Sequence, residues 1–274
     1  MFFKLLIYGA IIGVANIIPG VSGGTMAVIL NVYDKLISAV SNIAKSFKKS
    51  FLFLLPIGIG ALVGIVAFSK LIEYTLKYYP SATNMAFIGL IIGSVPMIFN
   101  SIKKQKVKIS GVVCFLLTLI LMFTINMMSP DESATLITKL TLNSFALLFG
   151  ASVVASAAMI IPGISGSFIM LILGTYTSVL AAVSGLTSLD SMLNSFLLLI
   201  PVGLGCIVGI LGCAKILEKL FKNFPGQTYA GILGFMIGSI FAIIPPLGFN
   251  QTTLISVIVG VIAFFIAFLF AKKS

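Results

Sequence analysis

Ala15-Asn16-Ile17-Ile18-Pro19-Gly20-Val21-Ser22-Gly23-Gly24-Thr25 and Ala158-Met159-Ile160-Ile161-Pro162-Gly163-Ile164-Ser165-Gly166-Ser167-Phe168 stand 143 residues apart, each breaking an apolar run. Neither reads as ordinary mid-helix sequence. Proline removes a backbone donor and clashes with the preceding turn, and Gly20, Gly23 and Gly24 each lower helix propensity by about 1 kcal/mol. The apolar run before Pro19 is only about 16 residues long, short of the ~20 that cross a bilayer. The expected structure is a re-entrant hairpin that turns at Pro-Gly and returns to the side it came from. Irregular backbone at that depth survives only when buried in protein or lining a cavity. The plainer alternative is an extramembrane turn between short spans, its small residues serving helix packing. Recurrence of the motif with Ser-Gly kept favours the hairpin.

The rest of the chain supports a membrane reading. Of 274 residues, 59% are hydrophobic and 8% charged, with a mean hydropathy of +1.23. A soluble domain carries about 25% charged residues. Runs such as Gly111 to Met128 and Leu254 to Ala271 approach the length of a span. All 17 basic residues are Lys, set against six acids in short clusters between apolar segments. That is the pattern of topology determinants and anionic-headgroup contacts, and it argues against nucleic-acid binding. The absence of His excludes an imidazole shuttle or a His-based metal site. Cys114, Cys206 and Cys213 lie in apolar segments and read as packing, so no metal or cofactor is expected. Met1 to Gly20 resembles a signal peptide in outline, but no small-residue cleavage site follows and a related segment recurs in mid-chain.

A second internal match joins residues 56–94 to 201–239 at an offset of 145, with fifteen of 39 positions identical. Leu/Ile/Val coincidences are cheap in such a composition, but an aligned Lys-x-x-Glu-x-x-x-Lys pattern (Lys70, Glu73, Lys77; Lys215, Glu218, Lys222) and aligned Gly and Pro are not. The two-residue change of offset falls between the matched segments. The chain thus reads as one membrane domain over 1–274, with repeat 1 at about 1–130 and repeat 2 at about 140–272. Apolar segments fall at about 2–18, 24–40, 51–69, 84–100 and 110–128, then 144–161, 167–183, 195–214, 229–245 and 252–271. Five per half is odd, so the second half starts on the opposite face. The expected fold is an all-α integral membrane protein, an inverted-topology repeat of two five-segment halves, each with a re-entrant helical hairpin plus three full spans.

Lysine placement tests this. With the N-terminus inside, inside loops 45–49, 103–108 and 215–223 carry three, four and three Lys, and Lys272 and Lys273 end the chain inside. Outside loops 70–80, 129–141, 184–194 and 246–252 are poor in net positive charge. The positive-inside rule therefore predicts both termini in the cytoplasm.

Ser22 and Ser165 are candidate N-caps of the returning helices, with Thr25 and Ser167 in the first turns. Hairpins entering from opposite faces would meet tip to tip, directing free N–H groups and roughly +0.5 charge from each helix at one cavity. Such a place suits anions, phosphate in particular. Lys70, Glu73, Lys215 and Glu218 form a second set near opposite faces, where Lys and Glu three apart can pair. Snorkelling to headgroups is the simpler reading of both lysines; alternating phosphate contacts is the sharper one. Asp34 follows Tyr33, the partner of Tyr176. Its own counterpart is Thr177, so solvation at a segment end suits it better than an essential acid pair. Gly60-x-x-x-Gly64 and Gly205-x-x-x-Gly209 read as helix packing.

Gly13 to Thr25, Ala158 to Ser167, Phe68-Ser69-Lys70 and Gly89 to Pro96 resemble the signature of bacterial undecaprenyl-phosphate translocases of the PopT type, and the likeness covers essentially the whole chain. Thr177 departs from the acid expected there. The resemblance implies a multi-pass bacterial inner-membrane protein, not an enzyme, that returns undecaprenyl phosphate from the outer to the inner leaflet for envelope synthesis. It implies a polyprenyl phosphate lipid as partner, with membrane lipids around it. On this reading Asn16, Pro19, Gly20, Ser22, Gly23, Gly24, Thr25, Pro162, Gly163, Ser165, Gly166 and Ser167 surround the headgroup. Lys70 and Lys215 capture or release it at each face. Glu73, Glu218 and Asp34 are the acids that could serve proton or sodium coupling.

Two other classes compete. A small-anion or ion-coupled solute transporter would use the same repeats around a closed aqueous path. A lipid phosphatase would need a nucleophile with a base or metal and cations on the equatorial oxygens, and neither His nor Arg is present.

Overall fold

The computed structural model describes residues 2–17, 22–105, 107, 109–128, 136–185, 192–245 and 251–273. The described residues form helices α1 (Phe2–Ile17), α2 (Gly23–Ile29), α3 (Tyr33–Ser41), α4 (Phe47–Tyr78), α5 (Pro80–Lys104) and α6 (Ile109–Met127). The second half of the chain supplies α7 (Leu142–Ile160), α8 (Gly166–Ile172), α9 (Tyr176–Gly185), α10 (Met192–Asn223), α11 (Pro225–Ile243) and α12 (Gln251–Lys273). Seven of them (α4–α7 and α10–α12) contain stretches long and apolar enough to cross a membrane, or eight spans if α8 and α9 count as one bent span. At 16 residues, α1 is shorter.

The expected single segments 24–40 and 167–183 are each two helices. Helix α2 ends where Asn31 takes φ 55°, and α8 where Gly174, 143 residues on, takes φ 66°. At the first break Asn31 N–H donates to Val28 O at 2.9 Å and Val32 N–H to Ala27 O at 3.0 Å. At the second, Gly174 N–H reaches Leu171 O and Thr175 N–H reaches Met170 O, both at 3.0 Å. This is the Schellman closure twice over, with Asn and Gly as residue types that tolerate the left-handed conformation. The α8–α9 bend is 116°.

Residues 70–80 and 215–223, expected as loops, are instead largely helical, because α4 and α10 each run for 32 residues. At 1.5 Å per residue each is about 48 Å long, well beyond a ~30 Å hydrocarbon core. No Gly or Pro interrupts 65–79, so nothing stops the helix before Pro80. Pro80 and Pro225 then occupy the first turns of α5 and α11, where a missing N–H is harmless.

Close seams join α1 to α4, α7 to α10, α5 to α12 and α6 to α11. Glycine makes each possible. A Cβ on Gly60 or Gly64 would stand 2.0 or 2.3 Å from the Leu6 or Ala10 carbonyl, and one on Gly9 or Gly13 would strike Ile57 O or Ala61 O. The same holds for Gly205 and Gly209 against α7, Gly89 and Gly93 against α12, and Gly234 and Gly238 against α6. With lipid outside, such backbone approach rather than hydrophobic exclusion holds helices together. The last two pairs cross between the halves of the chain. Around α2 and α3 the buried core gathers Met26, Val28, Tyr33 and Ile37 with Ile91 and Ile98 of α5 and Leu233 and Met236 of α11. Large apolar residues such as Val66, Leu116 and Leu254 face outward.

Replacing Gly64 by Leu is expected to destabilise the α1–α4 seam by about 1–3 kcal/mol, the range for overpacking. Gly58 lies on the same helix with open space beyond it, so Gly58→Leu should stay within about 0.5 kcal/mol. Thermal unfolding of both variants in detergent provides the comparison.

Candidate functional site

The first broken segment is closed by its own side chains. Ser22, with extended backbone (φ −106°, ψ 134°), caps α2 as expected, its Oγ accepting from Gly24 N–H at 3.2 Å. Asn16, at the end of α1, accepts from Gly23 N–H through Oδ1 at 3.1 Å. Its amide also packs where a Cβ on Gly23 would be. Ser22 and Thr25 are buried, and Thr25 Oγ1 has no hydrogen-bond partner.

The second is built differently. Pro162 and Gly163 are buried at the turn, Gly163 at φ +94° with a Cβ position only 2.5 Å from Phe235 O on α11. Ser165 begins α8 with extended backbone but makes no side-chain cap. Its Oγ lies 2.9 Å from Ser167 Oγ. Gly166 is buried and Ser167 exposed.

The structure brings the two segments together. A Cβ on Gly24 would stand 2.9 Å from the Ile160 carbonyl and 3.4 Å from Pro162 Cα. Tyr33 Oη donates to that same Ile160 carbonyl at 2.9 Å. A carbonyl at the end of α7, beyond which Pro162 prevents the helix from continuing, thus finds its donor on α3. Cavities flank the contact. One of about 190 Å³ is lined by Asn16, Gly23, Gly24, Tyr33, Met159 and Ile160, among others. Another, of about 350 Å³, is lined by Gly163, Ser165, Phe168, Met122, Asn126 and Phe241, among others.

Two physical expectations change. Helices α2 and α8 are seven residues each, about two turns, so an extended aligned dipole is not available from either. The Gly23 and Gly24 N–H groups are also already bonded to Asn16 and Ser22. Any attraction for an anion therefore comes from remaining N–H groups and hydroxyls.

The charged candidates are dispersed. Glu218 accepts from Ser38 and Ser41 of α3 and from Asn42 at its C-cap, and no ion pair joins it to Lys215, which is exposed. The α3 hydroxyls and amide are the nearer partners. Asp34, exposed in the first turn of α3, accepts from the Tyr229 hydroxyl of α11. Pro19 and Gly20 lie outside the described residues, as do the side chains of Lys70 and Glu73.

Sequence reading missed Asn126, Tyr229 and the polar face of α3. A lone amide inside the run 110–128 was a visible signal, since polar groups at membrane depth are costly. Nothing local marked Tyr229 as a partner of Asp34.

The described residues form a multi-pass helical protein in which the segments that follow α1 and α7 meet. The family described as VCA0040-like, undecaprenyl phosphate translocase-like, matches residues 12–257. A polyprenyl-phosphate transporter of Staphylococcus aureus is 33% identical over 273 residues, covering 96% of this chain and 93% of its own. One of Vibrio cholerae is 30% identical over 246 residues, covering 85% and 74% respectively. No solved structure matches. The chain belongs to the undecaprenyl phosphate translocase-like family, a family of bacterial multi-pass membrane transporters rather than enzymes.

Tyr33→Phe, which strands the Ile160 carbonyl, is expected to destabilise the protein by about 1–3 kcal/mol. Thermal unfolding in detergent measures it.

Proposed function

We propose that this chain carries the phosphate headgroup of undecaprenyl phosphate across the cytoplasmic membrane, from outer to inner leaflet, while the polyprenyl tail stays in lipid. A phosphomonoester crossing hydrocarbon unaided faces tens of kcal/mol in the Born limit. The headgroup passes through the meeting point of the broken segments, contacting Ser22, Gly24, Thr25, Ser165 and Ser167. The observation that carries this is the apposition of Gly24 with Ile160 and Pro162, with a largely apolar cavity on either side that holds a few polar groups, Asn16 and Tyr33 in one and Asn126 and Ser165 in the other.

The two halves act as inverted repeats, each a re-entrant hairpin with three spans, both termini cytoplasmic, opening the chamber alternately to each face. The matched motifs at offsets 143 and 145 and the left-handed residues Asn31 and Gly174 at equivalent places support this. Glu218, bonded to α3, and Asp34, bonded to Tyr229, join elements that such a motion would separate. Lys70 and Lys215 act near opposite ends, at capture or release. A proton or sodium gradient supplies the drive.

The decisive measurement is movement of labelled undecaprenyl phosphate between leaflets of liposomes containing the purified protein. Wild type should move it with a rate that responds to a proton or sodium gradient. Ser22→Leu and Ser165→Leu, normally inserted, should fall to the rate of protein-free vesicles. Unchanged movement in both variants removes the chamber assignment, and movement of inorganic phosphate in place of the lipid favours a solute transporter. Cysteines replacing Lys48 and Lys139, in a background without the native three, should label only from inside and only from outside respectively.

A further inference from the structure

Away from the meeting point, a cavity of about 820 Å³ lies between α3 and the start of α4. Asp34, Lys35, Ser38, Asn42 and Lys49 contribute to its polar wall, and Leu52 and Phe53 to its apolar one. This volume is in the range of ligand sites and exceeds what a phosphate group alone would fill.

Its charge is asymmetric in a useful way. The acids around it already have partners. Asp34 accepts from Tyr229, and Glu218, which holds Ser38 and Asn42, has Lys45 nearby. Lys35 and Lys49 are exposed, and no ion pair is found for either among the described residues. Lys49 sits in the first turn of a 32-residue helix whose N-cap, Ser46, makes no side-chain bond. The leading N–H groups of such a helix have no intrahelical acceptors and add positive potential to the same place. The other lip is apolar and continuous with the outward face of α4, where Leu52, Leu55 and Ile59 are exposed.

A pocket whose wall carries Lys35 and Lys49 against the single carboxylate of Asp34, with one lip opening onto a lipid-facing helix, fits an amphiphile with an anionic head. A phosphomonoester, at about −1.5 to −2 charge near neutral pH, matches two lysines better than a singly charged phosphodiester. We propose that this cavity is a second headgroup station for a lipid phosphomonoester, with Lys35 and Lys49 on the phosphate and the chain leaving over Leu52 and Phe53. It rests on the reading that the protein transports such a lipid, and the lysine-rich 45–49 segment puts it at the cytoplasmic end of the route, where the lipid is released.

A photo-crosslinking side chain at Leu52, in purified full-length protein in liposomes, reports occupancy of this cavity directly. Labelled undecaprenyl phosphate should crosslink there, labelled phosphatidylglycerol should do so far less, and inorganic phosphate at equal concentration should not compete. K35Q/K49Q should lower the yield about tenfold, the scale of losing charge-assisted contacts. K103Q/K104Q, removing as much charge elsewhere, should leave it within about twofold. Equal yields for wild type and K35Q/K49Q, equal losses in both double variants, equal labelling by phosphatidylglycerol, or displacement by inorganic phosphate would each overturn the station. Transport without crosslinking at Leu52 sinks the cavity alone, whereas absence of lipid movement in the wild type sinks the transport reading itself.

Discussion

Every buried backbone polar group must find its partner within the protein, and the two broken segments are where that demand is hardest to meet. The solution is local at one and shared at the other. Asn16 and Ser22 satisfy Gly23 and Gly24 from within the first segment. The Ile160 carbonyl of the second relies on Tyr33, from the opposite half of the chain. That hydroxyl–carbonyl bond ties the segments into one unit, and it gives a reason for the break between α2 and α3 at Asn31. Without the left-handed Asn31, Tyr33 would continue along the α2 axis.

Around this centre the helices are held by shape rather than charge. Four seams depend on small residues that admit a neighbouring backbone, and on α7 the positions matching Gly9 and Gly13 of α1 are Ser152 and Ser156. Ser156 Oγ donates to Val153 O at 3.2 Å, whereas Ser152 Oγ is buried without a partner. The second seam is therefore the less perfectly satisfied of the two.

Much of this was legible in the sequence. The membrane class followed from composition, the broken segments from Pro19 and Pro162, and the close helix approach from Gly60 and Gly64. Helix ends were legible only where Gly, Asn or Pro marked them. Hydropathy stopped α4 at residue 69, where apolar character fades, but helix geometry is indifferent to that change and runs on to Tyr78. The breaks at Asn31 and Gly174 were overlooked because each sits within an apolar run, and periodicity is blind to a single left-handed residue. Partnerships such as Glu218 with Ser41 or Tyr229 with Asp34 join residues more than 170 positions apart. They depend on how α10 and α11 lie against α3, which no local pattern encodes.

The crossed seams have a consequence for biogenesis. Helix α5 is synthesised well before α12, yet the glycine face at Gly89 and Gly93 meets its partner only there. Until then that groove is open to lipid or to insertion machinery, and α6 likewise waits for α11. The α5 seam forms only once α12 has been made, so a chain truncated before α12 would leave an earlier helix without its match.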